Sequence, residues 1–483
     1  MLSEIIKSNR SILSPDSLKK QRKKSPFEGG LRGMTQTLIL YLNWTIILFP
    51  AVFVLGITQN MQAQEHPSPG SNEAVEDSLA LEQYVQQALE NSPRIEALFQ
   101  QYYARLEQIP QVGTLPEPEV MFQYHINPME RGNILTQTTV SAKQMFPWFG
   151  TLGKRKEWVE KLSHVEWTAF EEARNELAME VKEQWYWMHE LHHHLIIFRH
   201  NLELLERLER QVRSQYESGR ASQLDLLRLQ IEQENLRTQI ENSEEELKVM
   251  KIRFNALLDR KSNTEIKLSE VMFNRKLGMS EESIRRTIYD RNPRLREREF
   301  KEEAALAAEE QARLEGRPSF GLGLMAMNRN YMYMPLMGSE GPALTGSLTI
   351  RLPLYRSKYR AQQKQAQIEA RAAREERRDI FNLLNAEAES LLQQYRDAGR
   401  RIALYEERLI PKTRQALEVA LSDYSSGRAD FEQIIQLQQQ LLDYEMKLNA
   451  AYVKQNIATA EIEYLSGKYN MNPEEIEIEG SKD

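Results

Sequence analysis

Tyr216-Glu217-Ser218-Gly219-Arg220-Ala221 returns later in the chain as Tyr424-Ser425-Ser426-Gly427-Arg428-Ala429. Each stretch puts a glycine between two long polar, helix-prone runs, where a helix ends on a residue free to take positive φ. Two earlier landmarks recur in the same order. Ala88-Leu89-Glu90-Asn91-Ser92-Pro93-Arg94-Ile95 is answered by Ile288-Tyr289-Asp290-Arg291-Asn292-Pro293-Arg294-Leu295. Both read as an amphipathic turn, a polar cap and a proline opening a new helix, where its missing N–H costs nothing. Phe146-Pro147-Trp148-Phe149-Gly150 is answered by Leu352-Pro353-Leu354-Tyr355-Arg356. The three pairs lie 200, 206 and 208 residues apart (Pro93 to Pro293, Pro147 to Pro353, Gly219 to Gly427). A fixed order at a near-constant offset is an internal duplication.

Between the landmarks, each copy carries two segments that alternate with period 2. In the first copy Val120, Phe122, Tyr124 and Ile126 alternate with Met121, Gln123 and His125, and a Thr-rich partner runs from Thr136 to Phe146. In the second, Phe320, Leu322, Leu324 and Ala326 alternate with Ser319, Gly321, Gly323 and Met325. Its partner sets Leu344, Gly346, Leu348, Ile350 and Leu352 against Thr345, Ser347, Thr349 and Arg351. Strands of about ten residues with one apolar and one polar face fit the wall of a membrane β-barrel. An edge of a soluble β-sandwich is the competing reading.

The remainder reads as helix. Lys154 to Tyr216 holds neither Pro nor Gly, enough for a helix of roughly 60 residues and about 90 Å. From Leu224 to Leu257 apolar residues follow three-four spacing, and the second copy repeats the pattern over Arg360–Tyr424, with a kink expected at Pro411, and from Phe431 to Leu465. So narrow an apolar stripe on helices this long is a coiled-coil seam that needs lateral neighbours. The fold class is therefore mainly α with a small β part. Four strands cannot close a barrel, and open sheet edges are not tolerated in lipid, so copies of the chain must complete the wall.

Bulk composition agrees. The 483 residues carry a formal net charge of -7 and no cysteine, which excludes disulfides, thiolate metal sites, a thiol nucleophile and a lipidated cysteine. Mean hydropathy is -0.60, against a bundle of membrane-spanning helices. Basic residues form no tract beyond the leader, so nucleic acid is not the expected partner. One apolar run, Thr37 to Ile57, follows a basic segment and leads to Gln62-Ala63-Gln64. It reads as a secretory signal cleaved near Ala63, an uncleaved anchor being the alternative and Met34 an alternative start. The organisation expected is leader and signal over 1–63, a Pro/Ser/Glu-rich linker over 64–78, a first repeat over 79–270, a second over 271–470, and an acidic polar tail over 471–483.

At this point the chain resembles the TolC-like outer-membrane efflux family. The resemblance rests on the Ala88–Ile95 opening, the Met145-Phe146-Pro147-Trp148-Phe149-Gly150-Thr151-Leu152-Gly153-Lys154-Arg155 stretch, and the paired tip turns. It implies a homotrimer with a twelve-stranded barrel in the outer membrane of a Gram-negative bacterium and an α-helical tunnel in the periplasm. It also implies docking on a periplasmic adaptor and an inner-membrane pump, with no cofactor. The Met145–Arg155 wording is similar to the branch paired with heavy-metal cation pumps.

The family closes its tip by polar contacts near the two turns. Tyr216 and Tyr424 match its aromatic positions, and Asp225 matches an acidic position that narrows the pore; Gln433 and Gln436 stand where members carry acids. Three copies of Asp225 would place a ring of negative charge on the axis, or Asp225 is an ordinary helix-start carboxylate. Arg220 and Arg428, next to Gly219 and Gly427, would face an adaptor or simply cap helices.

Two sharper patterns compete with blander readings. His189-Glu190-Leu191-His192-His193 fits H-E-x-x-H, which on a helix sets two imidazoles one turn apart beside a carboxylate. Here it sits midway along a very long charged helix, so a polar and aromatic belt on the tunnel wall is expected instead of a zinc hydrolase. Met325, Met327, Met332, Met334 and Met337 crowd one hairpin tip; thioethers suit soft metals and also serve as flexible apolar filler. No phosphate loop, nucleophile elbow or paired-carboxylate site emerges. The expectation is a passive conduit and no enzyme, with a polypeptide or drug exit duct and a purely structural coiled coil as rivals.

Overall fold

The computed structural model describes residues 69–131, 134–270, 274–331, 343–426, 428 and 430–472. The expected leader and signal, the tail beyond 472, Gly427 and the methionines Met332, Met334 and Met337 lie outside the described residues.

The first half runs α1 (Pro69–Asn91), α2 (Pro93–Leu106), the short α3 (Gln108–Gly113), β1 (Glu119–Arg131), β2 (Ile134–Phe146), α4 (Thr151–Glu217) and α5 (Gln223–Leu257). The second runs α6 (Glu281–Arg291), α7 (Pro293–Glu315), β3 (Ser319–Tyr331), β4 (Ala343–Arg351), α8 (Arg356–Leu404), a π turn (Tyr405–Leu409), α9 (Ile410–Ser425) and α10 (Phe431–Leu465). Helix, helix, strand, strand, helix, helix thus occurs twice. Among the described residues no helix is long and apolar enough to cross a membrane.

The landmarks set the helix ends. Pro93 and Pro293 open α2 and α7, and the residue before each is the cap. The Ser92 hydroxyl accepts from Ile95 N–H at 3.5 Å, and Asn292 Oδ1 accepts from Leu295 N–H at 3.2 Å. Such caps are worth about 1 kcal/mol each. Pro411, where a kink was expected, is preceded by a π turn: the N–H of Ile410 reaches back five residues to Tyr405 O. The wider turn makes room for a ring that would otherwise clash with the preceding turn.

With 67 residues α4 spans about 100 Å, and it packs against α5, α7 and α10. Near the tip its Phe198, Leu205 and Val212 join Leu229, Leu417, Ile434 and Leu441 in one core. Nearer the sheet Ile284, Leu295, Leu384, Leu392, Ile462 and Leu465 form a second. Each such side chain contributes about 1.5–3 kcal/mol on burial. The linker expected over 64–78 is helical from Pro69 onward, and Asp77 is buried. The amphipathic repeat of Leu81, Val85 and Ala88, all fully buried, carries the helix back into the polar stretch.

The four strands form one antiparallel sheet in the order β1-β2-β3-β4. The halves meet along β2 and β3, in register from Ile134↔Tyr331 to Phe146↔Phe320 with one irregularity. β1 and β4 are left as edges.

Candidate functional site

The sheet separates two chemistries by register alone. Phe122, Val140, Ala326 and Leu344 form one row across all four strands, and Val120, Ala142, Leu324 and Gly346 form another. The apolar side chains of this face stand in the open: Phe122 is 77% exposed and Ile126 88%, and Leu322, Leu324, Leu344, Leu348 and Ile350 are exposed with them. Because side chains alternate, Gln123, Ser141, Lys143, Ser347, Thr349 and Arg351 occupy the opposite face. An uncovered apolar band backed by a polar face is the arrangement of a membrane β-wall, not of a sandwich edge. Met325 and Met327 sit half-buried on the polar face.

At the opposite end of the helices, the α4–α5 turn is closed by Gly219 at φ +72°. Arg220 N–H donates to Gln215 O at 2.8 Å and Gly219 N–H to Tyr216 O at 2.9 Å, so the last carbonyls of α4 are satisfied as in a Schellman motif. The second turn repeats this closure, Arg428 N–H donating to Asp423 O at 2.8 Å. Arg428 also pairs with the Asp423 carboxylate at 2.9 Å, and Arg220 Nε donates to Ser218 Oγ at 3.1 Å.

Asp225 has a local role: its Oδ2 accepts from Ser222 N–H at 3.1 Å while Ser222 Oγ accepts from Asp225 N–H at 3.3 Å. This capping box starts α5. The same carboxylate lies close to Tyr424, whose phenol is pushed up by burial and then by the Asp225 charge. Tyr424 packs on Phe431 at 5.5 Å between ring centres, and its hydroxyl is buried without a partner among the described residues. Asp225 and Tyr424, 199 residues apart in sequence (225 to 424), are thus brought together. Tyr216, Gln433 and Gln436 stay exposed, and Gln436 donates to Glu432 at 3.2 Å.

Sequence reasoning passed over Arg228 and Glu432, which form an ion pair joining α5 to α10. Its only trace was an acid one residue before Gln433. Gln439 and Glu232 repeat the link at 3.3 Å.

The His189–His193 stretch departs from expectation. His189 is 1% exposed, its Nε2 lies 3.1 Å from Asp77 Oδ2, and its ring packs 4.8 Å from Trp185. Trp185 in turn contacts Tyr84 of α1 and Phe254 of α5. Trp185, Tyr186 and His189 of the expected tunnel-wall belt are thus buried beneath α1. Burial pushes His189 down to about 3 and His193 and His194 to about 4, which leaves them neutral at physiological pH. Among the described residues no three His, Asp or Glu side chains converge closely enough to hold a metal ion. Beside them, a groove of about 300 Å³ between α4 and α10 is lined by His193, Ile197, His200, Glu445, Leu448 and Tyr452. Lys182, also 1% exposed, pairs with Glu463 beneath the Tyr469 ring. That cluster ties α4 to α10 and the turn after it.

No protein-family model matches the chain, and no curated protein matches it. Solved structures do. The outer membrane protein VceC of Vibrio cholerae superposes with a TM-score of 0.68 at 13% identity, over 80% of this chain and 96% of that one. The CmeC outer membrane channel of Campylobacter jejuni gives 0.64 at 13% identity, over 83% and 89%. The open state of the MtrE outer membrane channel of Neisseria gonorrhoeae gives 0.64 at 14% identity, over 80% and 88%. The chain has the fold of TolC-like outer-membrane channels, nearly end to end on theirs.

Proposed function

We propose that this chain is the protomer of an outer-membrane efflux duct, a passive exit path driven by an inner-membrane pump through a periplasmic adaptor. One observation carries the reading: an exposed apolar sheet face with two unpaired edges, continuous with helices about 100 Å long,. Lipid covers the apolar face, and β4 of one copy pairs with β1 of the next until the wall closes. Three copies would supply twelve strands, as the family resemblance implies. The helices then extend into the periplasm of a Gram-negative cell, once the 1–63 segment has directed export.

In this reading Gly219, Arg220, Gly427 and Arg428 form the tip that meets the adaptor. Asp225, Tyr216, Tyr424, Gln433 and Gln436 line the gate. Asp225 is held by its capping box, and its charge is felt by the Tyr424 phenol. The wording of Met145–Arg155 supports heavy-metal cations as the cargo class. No residue has a catalytic role, and replacing His189 and His193 by Ala leaves transport intact.

Two experiments test this. Detergent extraction of membranes should yield a heat-resistant trimer; a protein that stays soluble as a monomer without detergent refutes the duct. A deletion strain should lose growth on copper, silver, zinc or cobalt and keep it on dyes and detergents. Equal sensitivity to both groups refutes the metal cargo.

A further inference from the structure

Where β4 hands over to α8 the chain reads Arg351-Leu352-Pro353-Leu354-Tyr355-Arg356-Ser357-Lys358-Tyr359-Arg360, then Lys364, and no acid occurs before Glu369. Two kinds of side chain are exposed together here. Leu352 carries the apolar row of Leu348 and Ile350 past the end of the strand, and Leu354 and Tyr355 beyond it are 77% and 79% exposed. The first turns of α8 then bring cations. One side of these turns packs on α7: a Cβ on Gly316, just past that helix, would fall 3.6 Å from Tyr359 Cβ and 3.4 Å from Gln363 Nε2, and Ala366 and Ala370 are buried. Arg356, Arg360 and Lys364, spaced four apart, share an open side, and span about 12 Å along the helix.

These three cations have no carboxylate partner among the described residues. Further along α8, Arg374 and Arg377 each reach Glu302 at 3.0 Å, and Arg396 reaches Glu281 at 2.8 Å. The matching junction of the first copy is neutralised too, Lys154 by Glu157 at 2.6 Å and Arg155 by Glu315 at 3.2 Å. Three open cations therefore adjoin the end of the exposed apolar band.

We infer that this junction binds the headgroups of anionic glycerophospholipids in the periplasmic leaflet. Acyl chains cover Leu352, Leu354 and Tyr355, and the phosphate lies against Arg356, Arg360 and Lys364. The inference rests on the duct reading and adds a lipid preference to it. Tyrosine suits the boundary, with an apolar ring and a hydroxyl that stays at headgroup level. Arginine holds phosphate through paired N–H donors. A zwitterionic headgroup also brings an ammonium, and these turns offer it no carboxylate, so lipids of net negative charge are favoured. The rival cover is the exposed Glu107 and Glu117 of a second copy; carboxylates answer the charges and not the apolar side chains beside them.

The chain has no native cysteine, which allows a local test on the full-length protein. Ser357→Cys, exposed among these cations, is labelled with a fluorophore and reconstituted at low ionic strength in phosphatidylcholine vesicles. The vesicles contain nitroxide-labelled phosphatidylglycerol or nitroxide-labelled phosphatidylcholine at equal mole fraction. Quenching should report a local excess of phosphatidylglycerol of at least about fivefold, the worth of one basic residue at a charged lipid surface. The excess should vanish at about 1 M salt, where screening acts over about 3 Å, and in the Arg356→Gln, Arg360→Gln, Lys364→Gln variant. Arg360→Lys should keep it. Should the triple variant fail to assemble, the salt series on Ser357→Cys alone carries the test. Equal quenching by the two lipids, or an excess indifferent to salt, overturns the inference and leaves the duct standing. A label on Leu348→Cys, in the apolar band, separates the two ideas. If that label is quenched and the Ser357→Cys label is not, a second copy covers the cations and the lipid site falls alone. If neither is quenched, the wall lies outside the bilayer, and the duct and the lipid site fall together.

Discussion

Leu324 lies on the exposed apolar face, five residues into β3 from Ser319. At about 3.3 Å per residue and a tilt near 40°, that is about 13 Å from the helical end of the strand, the middle of a lipid band about 25 Å tall. Leu324→Arg puts a guanidinium at that depth, at a cost of about 2–4 kcal/mol per chain. Summed over the three copies of the proposed trimer this is roughly 6–12 kcal/mol, comparable to the whole stability of an ordinary domain. Thr345 is the control: it pairs with Met325 at nearly the same depth but on the polar face, so Thr345→Arg should cost under about 1 kcal/mol. The assay is the temperature at which the detergent-extracted oligomer dissociates on a gel, supported by urea unfolding in vesicles. Leu324→Arg should abolish the heat-resistant band or lower its transition by tens of degrees, and Thr345→Arg should leave it in place. Equal behaviour of the two variants would refute the assignment of the faces, and with it the membrane wall.

Gly219→Ala meets nothing within 4 Å, so its cost is the left-handed backbone alone, about 1–2 kcal/mol; Gly219→Asn should recover part of it, read as thermal stability of the purified protein. Asp225→Ala removes one half of the capping box and the charge beside Tyr424, costing about 1 kcal/mol and raising the single-channel conductance in a planar bilayer; an unchanged conductance counts against Asp225 as a gate residue. Burial holds His193 and His194 near 4 instead of 6.5, so between these values the unfolded chain binds more protons and stability falls as pH drops from 6.5 toward 4. Asp77, pushed up to about 6 by burial, takes its proton more readily in the folded state and offsets His189 over part of that window. A His193→Gln, His194→Gln variant should therefore show a flatter melting temperature between pH 6.5 and 4.5, and an equally steep profile would contradict the burial argument.

Features that repeat along one element were legible in the sequence. Period-2 alternation gave β3 and its faces, proline after a polar cap gave the starts of α2 and α7, and the three-four stripe gave α10 from Phe431 to Leu465, the bounds observed. Features that depend on what lies across the fold were not. The cover of the H-E-x-x-H stretch was not legible because it comes from Asp77 and Tyr84, more than a hundred residues upstream, Asp77 in a segment whose Pro, Ser and Glu content signals a linker. At the tip, single positions were found by resemblance, but the meeting of Asp225 with Tyr424 and the Arg228–Glu432 pair needed the two halves placed side by side. Nothing local in Arg228 distinguishes it from the other solvated arginines of α5.

The β2–β3 register has a consequence for how the ring is made. Within one chain, two hairpins are already joined edge to edge over the full length of the strands, the same kind of seam that separate chains must form with one another. In the proposed trimer, a wall of six hairpins would have three seams closed during folding of the single chain and only three left to encounter between chains. Tethering raises the effective concentration of the joined halves to the millimolar range, so assembly needs the collision of three bodies instead of six. Having distinct halves also frees each seam to evolve by itself: the one within the chain carries Gly321 and Gly323 of β3 opposite Met145 and Lys143 of β2.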